Sequence, residues 1–232
     1  MMQRFTSKRV LITGAAGGMG KALAQRFDDE GAELILTDVD TIDLGVESDI
    51  QRFAKEVLAK HERIDVLINN AGLAYGEIAS GFENLSQEKW LRFLAVNTVA
   101  PLLLAQALRP ALAKARGTVI NITSMAGYVP GTAYGVTKAA LNAMTFGMAN
   151  AFAADGIRVN AIAPGVMETP ASRANLPAGT YERIQSQQLL KLDGKAGDIA
   201  ALAAFLASED ARFINCEIVS CDAGNRIRGW RG

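Results

Sequence analysis

The stretch from Val10 to Gly20, VLITGAAGGMG, constrains this chain more than any other. Val10, Leu11 and Ile12 have the character of a strand buried on both faces. The glycines that follow, Gly14, Gly17, Gly18 and Gly20, let the backbone turn tightly and bring bare N–H groups up to a pyrophosphate. Beyond them Met19, Leu23 and Phe27 recur along one side of a predicted helix. That helix can pack on a sheet and aim its positive dipole end at the turn. A strand, a glycine turn and a helix in this order make a dinucleotide cradle. Similar turns occur in methyltransferases and in purely structural loops, so the turn alone does not choose among them.

With 232 residues, half of them apolar, the chain is long enough for one α/β domain with a full core. Lysine plus arginine equals aspartate plus glutamate at 24 each, which leaves no basic field for nucleic acid and no acidic tail. The expected partner is a small molecule. The opening MMQRFTSKRV has no apolar signal-peptide core, and no apolar run approaches a membrane span. A cytoplasmic protein without membrane association is expected. Cys216, Cys221 and the single His61 build neither a disulfide scaffold nor a zinc site, so no metal is expected. His61 reads as a solvent-facing cation at a helix C-terminus.

Strand and helix signals alternate over residues 1–232 without repeats or a linker. This predicts a single α/β domain, a doubly wound parallel sheet with helices on both faces. Glu33 to Thr37 reads as the second strand and ends at Asp38, where a carboxylate can take both hydroxyls of an adenosine ribose. A carboxylate repels a 2′-phosphate, and neither Ala15, Ala16 nor Val39 offers one a cation, so NAD is expected over NADP. From Glu47, the spacing of Ile50, Phe53, Ala54, Val57 and Leu58 predicts one buried helix face. Val66 to Ile68 is counted as the fourth strand. It runs into Asn69, Asn70, Ala71 and Gly72, residues small enough to let a flat cofactor lie against the strand ends. A long helix from the N-cap Ser86 to about Ala113 carries Asn97, which is costly among apolar neighbours unless it has partners. Pro101 has no N–H for the Asn97 carbonyl, so the helix is expected to bend there and leave that carbonyl open.

Thr118 to Ile122 is the next strand and leads to Ser124, then to Tyr134 and Lys138 on a helix. Four residues apart, the last two share a helix face, with the ammonium close to the phenol. Positive charge from Lys138 and an oxidised nicotinamide favours the phenolate and brings proton transfer toward neutral pH. Tyr134 can then act as acid or base. Thr13 to Gly20 as TGxxxGxG, NNAG at 69–72, NITSMAG at 121–127 before the Tyr134/Lys138 pair, and Pro164-Gly165 followed by Thr169 stand in this order. In that pattern the chain resembles the short-chain dehydrogenase/reductase family over essentially its whole length.

The resemblance implies a Rossmann-type fold and the family's tetrad at Asn97, Ser124, Tyr134 and Lys138. Ser124 holds the substrate oxygen, Tyr134 exchanges its proton, Lys138 binds the nicotinamide ribose, and Asn97 holds a water linking Lys138 to solvent. It also implies cofactor contacts from Gly14, Gly17, Gly18, Met19, Gly20, Asp38, Asn70, Ala71, Gly72, Pro164, Gly165, Val166 and Thr169, with Asp43 and Leu44 beside the adenine. Three departures stand out. Only Val39 to Ile42 separate Asp38 from Asp43, where relatives have a helix; nine residues separate Ser124 from Tyr134, a shorter loop than usual; and Asp222-Ala223-Gly224 replaces an aspartate with two glycines.

Residues of about 167–197 fit a mobile helical lid. Tyr75, Tyr128, Met167, Leu189 and Leu190 would make the substrate pocket apolar, with Arg173 free to meet an anion. The expected activity is NAD-dependent hydride transfer between the nicotinamide and a secondary alcohol or ketone. A homotetramer is expected, with Leu102 to Leu104 and Phe152 either at its contacts or against the sheet. A dinucleotide-sensing regulator and a transferase are the alternatives, and neither requires the tetrad.

Overall fold

The structure, a computed structural model, describes residues 3–79, 81–83 and 85–225. Six strands form one parallel sheet: β1 (Arg9–Thr13), β2 (Glu33–Thr37), β3 (Val66–Asn69), β4 (Thr118–Ile122), β5 (Arg158–Pro164) and β6 (Ile218–Cys221). Their spatial order is β2-β1-β3-β4-β5-β6, and every neighbouring pair is parallel. Parallel neighbours need crossovers, which the helices supply. On one face α1 (Gly18–Asp29) packs beside α9 (Ala196–Ala207) over Val10, Ile12, Ile68 and Ile120. On the other, α2 (Glu47–Lys60), α4 (Ala100–Ala107) and α6 (Ala133–Phe152) cover Leu11, Leu67, Val119 and Val159. Alternate residues of the central strands thus feed two cores, which is why those strands read as continuous apolar runs.

The chain reverses its direction of travel across the sheet between β1 and β3, so the crevice above their carboxyl ends is the place an open α/β sheet offers a ligand. Between β2 and α2 the structure holds neither a helix nor a third strand at Asp43–Leu44, and the strand counted as fourth from the sequence is β3. Residues 38–46 make a compact turn instead, in which Thr41 and Ile42 donate to the Asp38 carbonyl and Val46 to that of Asp43. Four residues are too few for a crossover, so β2 is the sheet's edge among the described residues.

The long helix is also broken. α3 (Gln87–Leu94), capped by Ser86, passes into a π turn over Ala95–Val99 before α4 begins, and α5 (Arg109–Ala115) follows. Pro101 sits in the first turn of α4, where a helix has no use for its N–H, and the chain accommodates it by the wider turn at Asn97. Gln87–Ala107 has 21 residues and a mean hydropathy of 1.3, long and apolar enough to cross a membrane, contrary to the sequence-based expectation. In the fold, Ala100, Leu104 and Ala105 of this stretch are core residues. Leu104 and Phe152 are fully buried within the chain, so they face the core and not another subunit.

The segment expected to be a lid folds as α7 (Pro170–Asn175) and α8 (Thr180–Ser186). It is tied down at Met167, which pairs with Gly194, and by the Tyr181 hydroxyl, which donates to Asp193 at 3.1 Å.

Candidate active site

At the carboxyl end of β1, Gly14 adopts a φ of +66°, and a β-carbon there would stand 2.7 Å from the Ala71 α-carbon. At Gly20 a β-carbon would stand 2.7 Å from the α-carbon of Ala15, so both positions need glycine for close approach. Gly17 and Gly18 differ: the nearest atoms to a β-carbon would lie at 3.7 and 3.8 Å, and the space in front of them belongs to a cavity. α1 begins there with no acidic residue in its first turn, so unpaired N–H groups and the positive dipole end face an anion site. The turn is clamped to the NNAG segment. Thr13 Oγ1 accepts the N–H groups of Asn70 and Ala71 at 3.1 and 3.0 Å, and Asn70 Nδ2 donates to the carbonyls of Thr13 and Gly14. Asp38 is aimed across this turn, its Oδ2 accepting the Ala16 N–H at 2.8 Å.

One cavity of about 900 Å³ runs from this turn to the helix α6. Gly14, Gly17, Gly18, Met19, Gly20, Asp38, Asp43, Leu44, Asn70, Ala71, Gly72, Ser124, Tyr134, Lys138, Pro164, Gly165, Val166 and Thr169 all line it. Asn97 does not. It is fully buried behind the wall, where Nδ2 donates to the Leu73 carbonyl at 2.8 Å and to Thr137 Oγ1 at 3.0 Å, while Oδ1 accepts the Leu73 N–H at 2.8 Å. Its side chain therefore fastens the loop after β3 to α6, and the partners that make a buried amide tolerable are these three groups.

Tyr134 lies in the first turn of α6, set by the Thr132 cap, whose Oγ1 accepts the Gly135 N–H. Ser124 stands two residues beyond the end of β4 and turns the chain by accepting the Ala126 N–H at 3.1 Å. The short 128–132 connection closes over this end without a further element, and Tyr128 turns away to Ser220 at 3.1 Å. Burial pushes the Tyr134 phenol up to about 12, opposed by the hydrogen bond from Ser124 and reinforced by Tyr75. The expected lowering by Lys138 is not seen. Lys138 Nζ stands 5.7 Å from the ring centre and spends a hydrogen bond on the Ile122 carbonyl at 2.8 Å. Burial pushes its ammonium down to about 8. The phenol is thus held as an acid beside an ammonium that stays charged at neutral pH.

Toward the lid the cavity is lined by Met167, Leu176, Thr180, Arg183 and Ile184, and by Tyr75 on the opposite wall. Tyr128, Leu189 and Leu190 take no part, and both leucines are exposed because the chain turns away after α8. Arg173 is not free for an anion: it pairs with Glu168 and Glu182 at 3.1 and 2.9 Å and lies 3.9 Å over the Tyr181 ring. Arg92 and Arg183 were not singled out by the sequence, because an arginine on an exposed helix face carries no local signal of the cavity it reaches.

Residues 41–226 match the family model described as Enoyl-(Acyl carrier protein) reductase. The chain is 35% identical to 2,5-dichloro-2,5-cyclohexadiene-1,4-diol dehydrogenase LinX of Sphingobium indicum, over 97% of this chain and 98% of that protein. The chain belongs to the short-chain dehydrogenase/reductase family. A second short-chain dehydrogenase relative, meso-2,3-butanediol dehydrogenase of Serratia marcescens, is 32% identical over 95% of both chains. Among solved structures, a blue fluorescent protein from a metagenomic library, in complex with NADPH, superposes with a TM-score of 0.82. It is 25% identical and covers 95% of this chain and 98% of that one. The family consists of oxidoreductases with a nicotinamide-cofactor site, and the glycine turn and bare N–H groups described above fit such a group.

Proposed function

We propose that this short-chain dehydrogenase/reductase is an NAD-dependent oxidoreductase acting on a secondary alcohol or its ketone. The observation that carries the reading is the single cavity joining the glycine turn to Ser124, Tyr134 and Lys138. NAD, when bound, supplies hydride acceptance in one direction and, as NADH, hydride donation in the other. The chain's own residues do the rest. Ser124 Oγ holds the substrate oxygen, and Tyr134 gives that oxygen its proton in reduction or takes it in oxidation. Lys138 keeps positive charge beside the phenol and reaches toward the ribose. Asn97 keeps the loop after β3 in place behind them, and a water on its backbone carbonyl would link Lys138 to solvent.

Asp38 supports NAD over NADP, since its carboxylate is already oriented by the Ala16 N–H and would oppose a 2′-phosphate. The two relatives named for diol oxidation support placing cyclic and vicinal diols in the first substrate panel. Exposed Val99 just before α4 and Phe146 on α6, at 38% and 46%, support a homotetramer joined through these helices. Residues 167–197 would act as the substrate lid. The test is absorbance of the reduced nicotinamide after mixing protein, NAD and a panel of secondary alcohols, with ketones and NADH as the reverse arm. NADH bound without turnover across the panel would overturn the enzymatic reading and leave a dinucleotide sensor.

A further inference from the structure

Loss of the element after β2 leaves the adenosine end of the cavity without its expected wall, and an arginine from the opposite side fills the gap. Arg92, on α3, reaches the turn 38–46, where Nη2 donates to Asp43 Oδ1 at 2.7 Å. The same oxygen accepts the Gly45 N–H at 2.8 Å. The guanidinium rests against the bare α-carbon of Gly45: a β-carbon there would stand 2.5 Å from Cζ and 3.1 Å from Nε. Arg92 and Asp43 both line the cavity, together with Ile42, Leu44 and Val96.

The side chains of this pair are 42% and 38% exposed, and an ion pair so open to water adds little to stability. What it does accomplish is to hold a planar cation in one orientation. Asp43 neutralises the charge, and its carboxyl is held below the usual carboxylate range by Arg92 and the Gly45 N–H. A neutralised guanidinium is a poor receptor for a 2′-phosphate and a good flat surface for an aromatic base.

We infer that Arg92 is the adenine platform of this enzyme, seated on Gly45 on one face, gripped at its edge by Asp43, and offering its other face to the base. The inference rests on the dinucleotide reading and assigns Asp43 to the arginine, whereas the sequence placed it beside the base itself.

The experiment is a titration of wild type, Arg92→Ala, Arg92→Lys, Gly45→Ala and the Arg92→Ala/Gly45→Ala double variant. The ligands are NADH, NADPH, ADP-ribose, 5′-AMP and nicotinamide mononucleotide, followed by fluorescence or calorimetry. Arg92→Ala is expected to weaken NADH, ADP-ribose and 5′-AMP roughly five- to tenfold and to leave nicotinamide mononucleotide unchanged. Arg92→Lys keeps the charge without the plane and is expected to lose most of the same affinity. Gly45→Ala displaces the guanidinium, so it is expected to match Arg92→Ala, and the double variant to lose no more than either. Full affinity in Arg92→Lys with a loss confined to NADPH would overturn the platform in favour of a phosphate contact. An equal loss for nicotinamide mononucleotide would overturn it in favour of a structural brace. Unchanged binding in all variants sinks the inference alone, whereas wild type that binds none of the ligands sinks the dinucleotide reading with it.

Discussion

Lys138→Met should make the folded protein more stable at neutral pH while abolishing turnover. In the structure Lys138 is 4% exposed, and burial lowers its pKa from 10.5 to about 8. A depressed folded-state pKa means that the fold disfavours the charged form. The charged form is present in both states below pH 8, so the full penalty acts there, and it fades as pH rises toward 10.5. This lowering corresponds to roughly 3 kcal/mol. Methionine removes this penalty and nearly conserves the volume, but strands the Ile122 carbonyl, which now accepts from Nζ at 2.8 Å. That loss costs about 1–3 kcal/mol, so the variant should be more stable at pH 7 by roughly 1 kcal/mol. The sharper signature is the pH dependence. Between pH 7 and 10 the wild type should gain roughly 2–3 kcal/mol relative to the variant, reversing their order. Urea unfolding of both proteins across that range, at one protein concentration, measures the gap. A gap that stays constant with pH would refute the argument that burial of this ammonium is costly.

Tyr134→Phe keeps the ring and removes the group assigned to proton transfer, so kcat should fall by about 10²–10⁴-fold while the NADH Kd, read by fluorescence, stays within about twofold. Asp38→Ala should narrow the preference for NAD over NADP in paired titrations, since it removes the carboxylate that opposes the 2′-phosphate; equal affinities in the wild type would end that assignment. Ala223 holds a φ of +52° where relatives have glycine, so Ala223→Gly should raise stability by roughly 0.5–1 kcal/mol, visible as a higher Tm. Light scattering at micromolar concentration should give a tetramer, and a monomer would refute the proposed assembly through α4 and α6.

Much of the site was legible because its signals are local. The glycine turn, Asp38 at a strand end and the Tyr134/Lys138 spacing each depend on a few consecutive residues whose backbone geometry follows from their type. The limits of β4 were legible because both faces of that central strand are buried, so its apolar run stops where the strand stops, whereas the half-exposed edge strand β2 was marked out by Gly31 before it and the turn residues from Asp38 after it. The count of strands was not legible, because whether residues 39–46 pair with β2 is settled by the length needed for a crossover and by what covers the edge. Arg173 looked free and Arg92 looked ordinary, yet the fold gives the first two carboxylates and the second a place in the cavity wall.

By itself, the sequence determined the order of the elements, the cradle at Gly14 to Gly20, and the residue types that can move a proton at Ser124, Tyr134 and Lys138. Periodicity, turn chemistry and spacing along a helix act within about a dozen residues and need no partner to be read. Only the tertiary structure decided that Asn97 is a clamp behind the wall, that burial and not Lys138 dominates the Tyr134 phenol, and that Arg92 pairs with Asp43 in the cavity wall. Each of those depends on which groups from distant segments surround an atom, and on how much water they exclude. Desolvation and long-range hydrogen bonding are properties of the packed assembly of side chains, and no stretch of the chain contains them in advance.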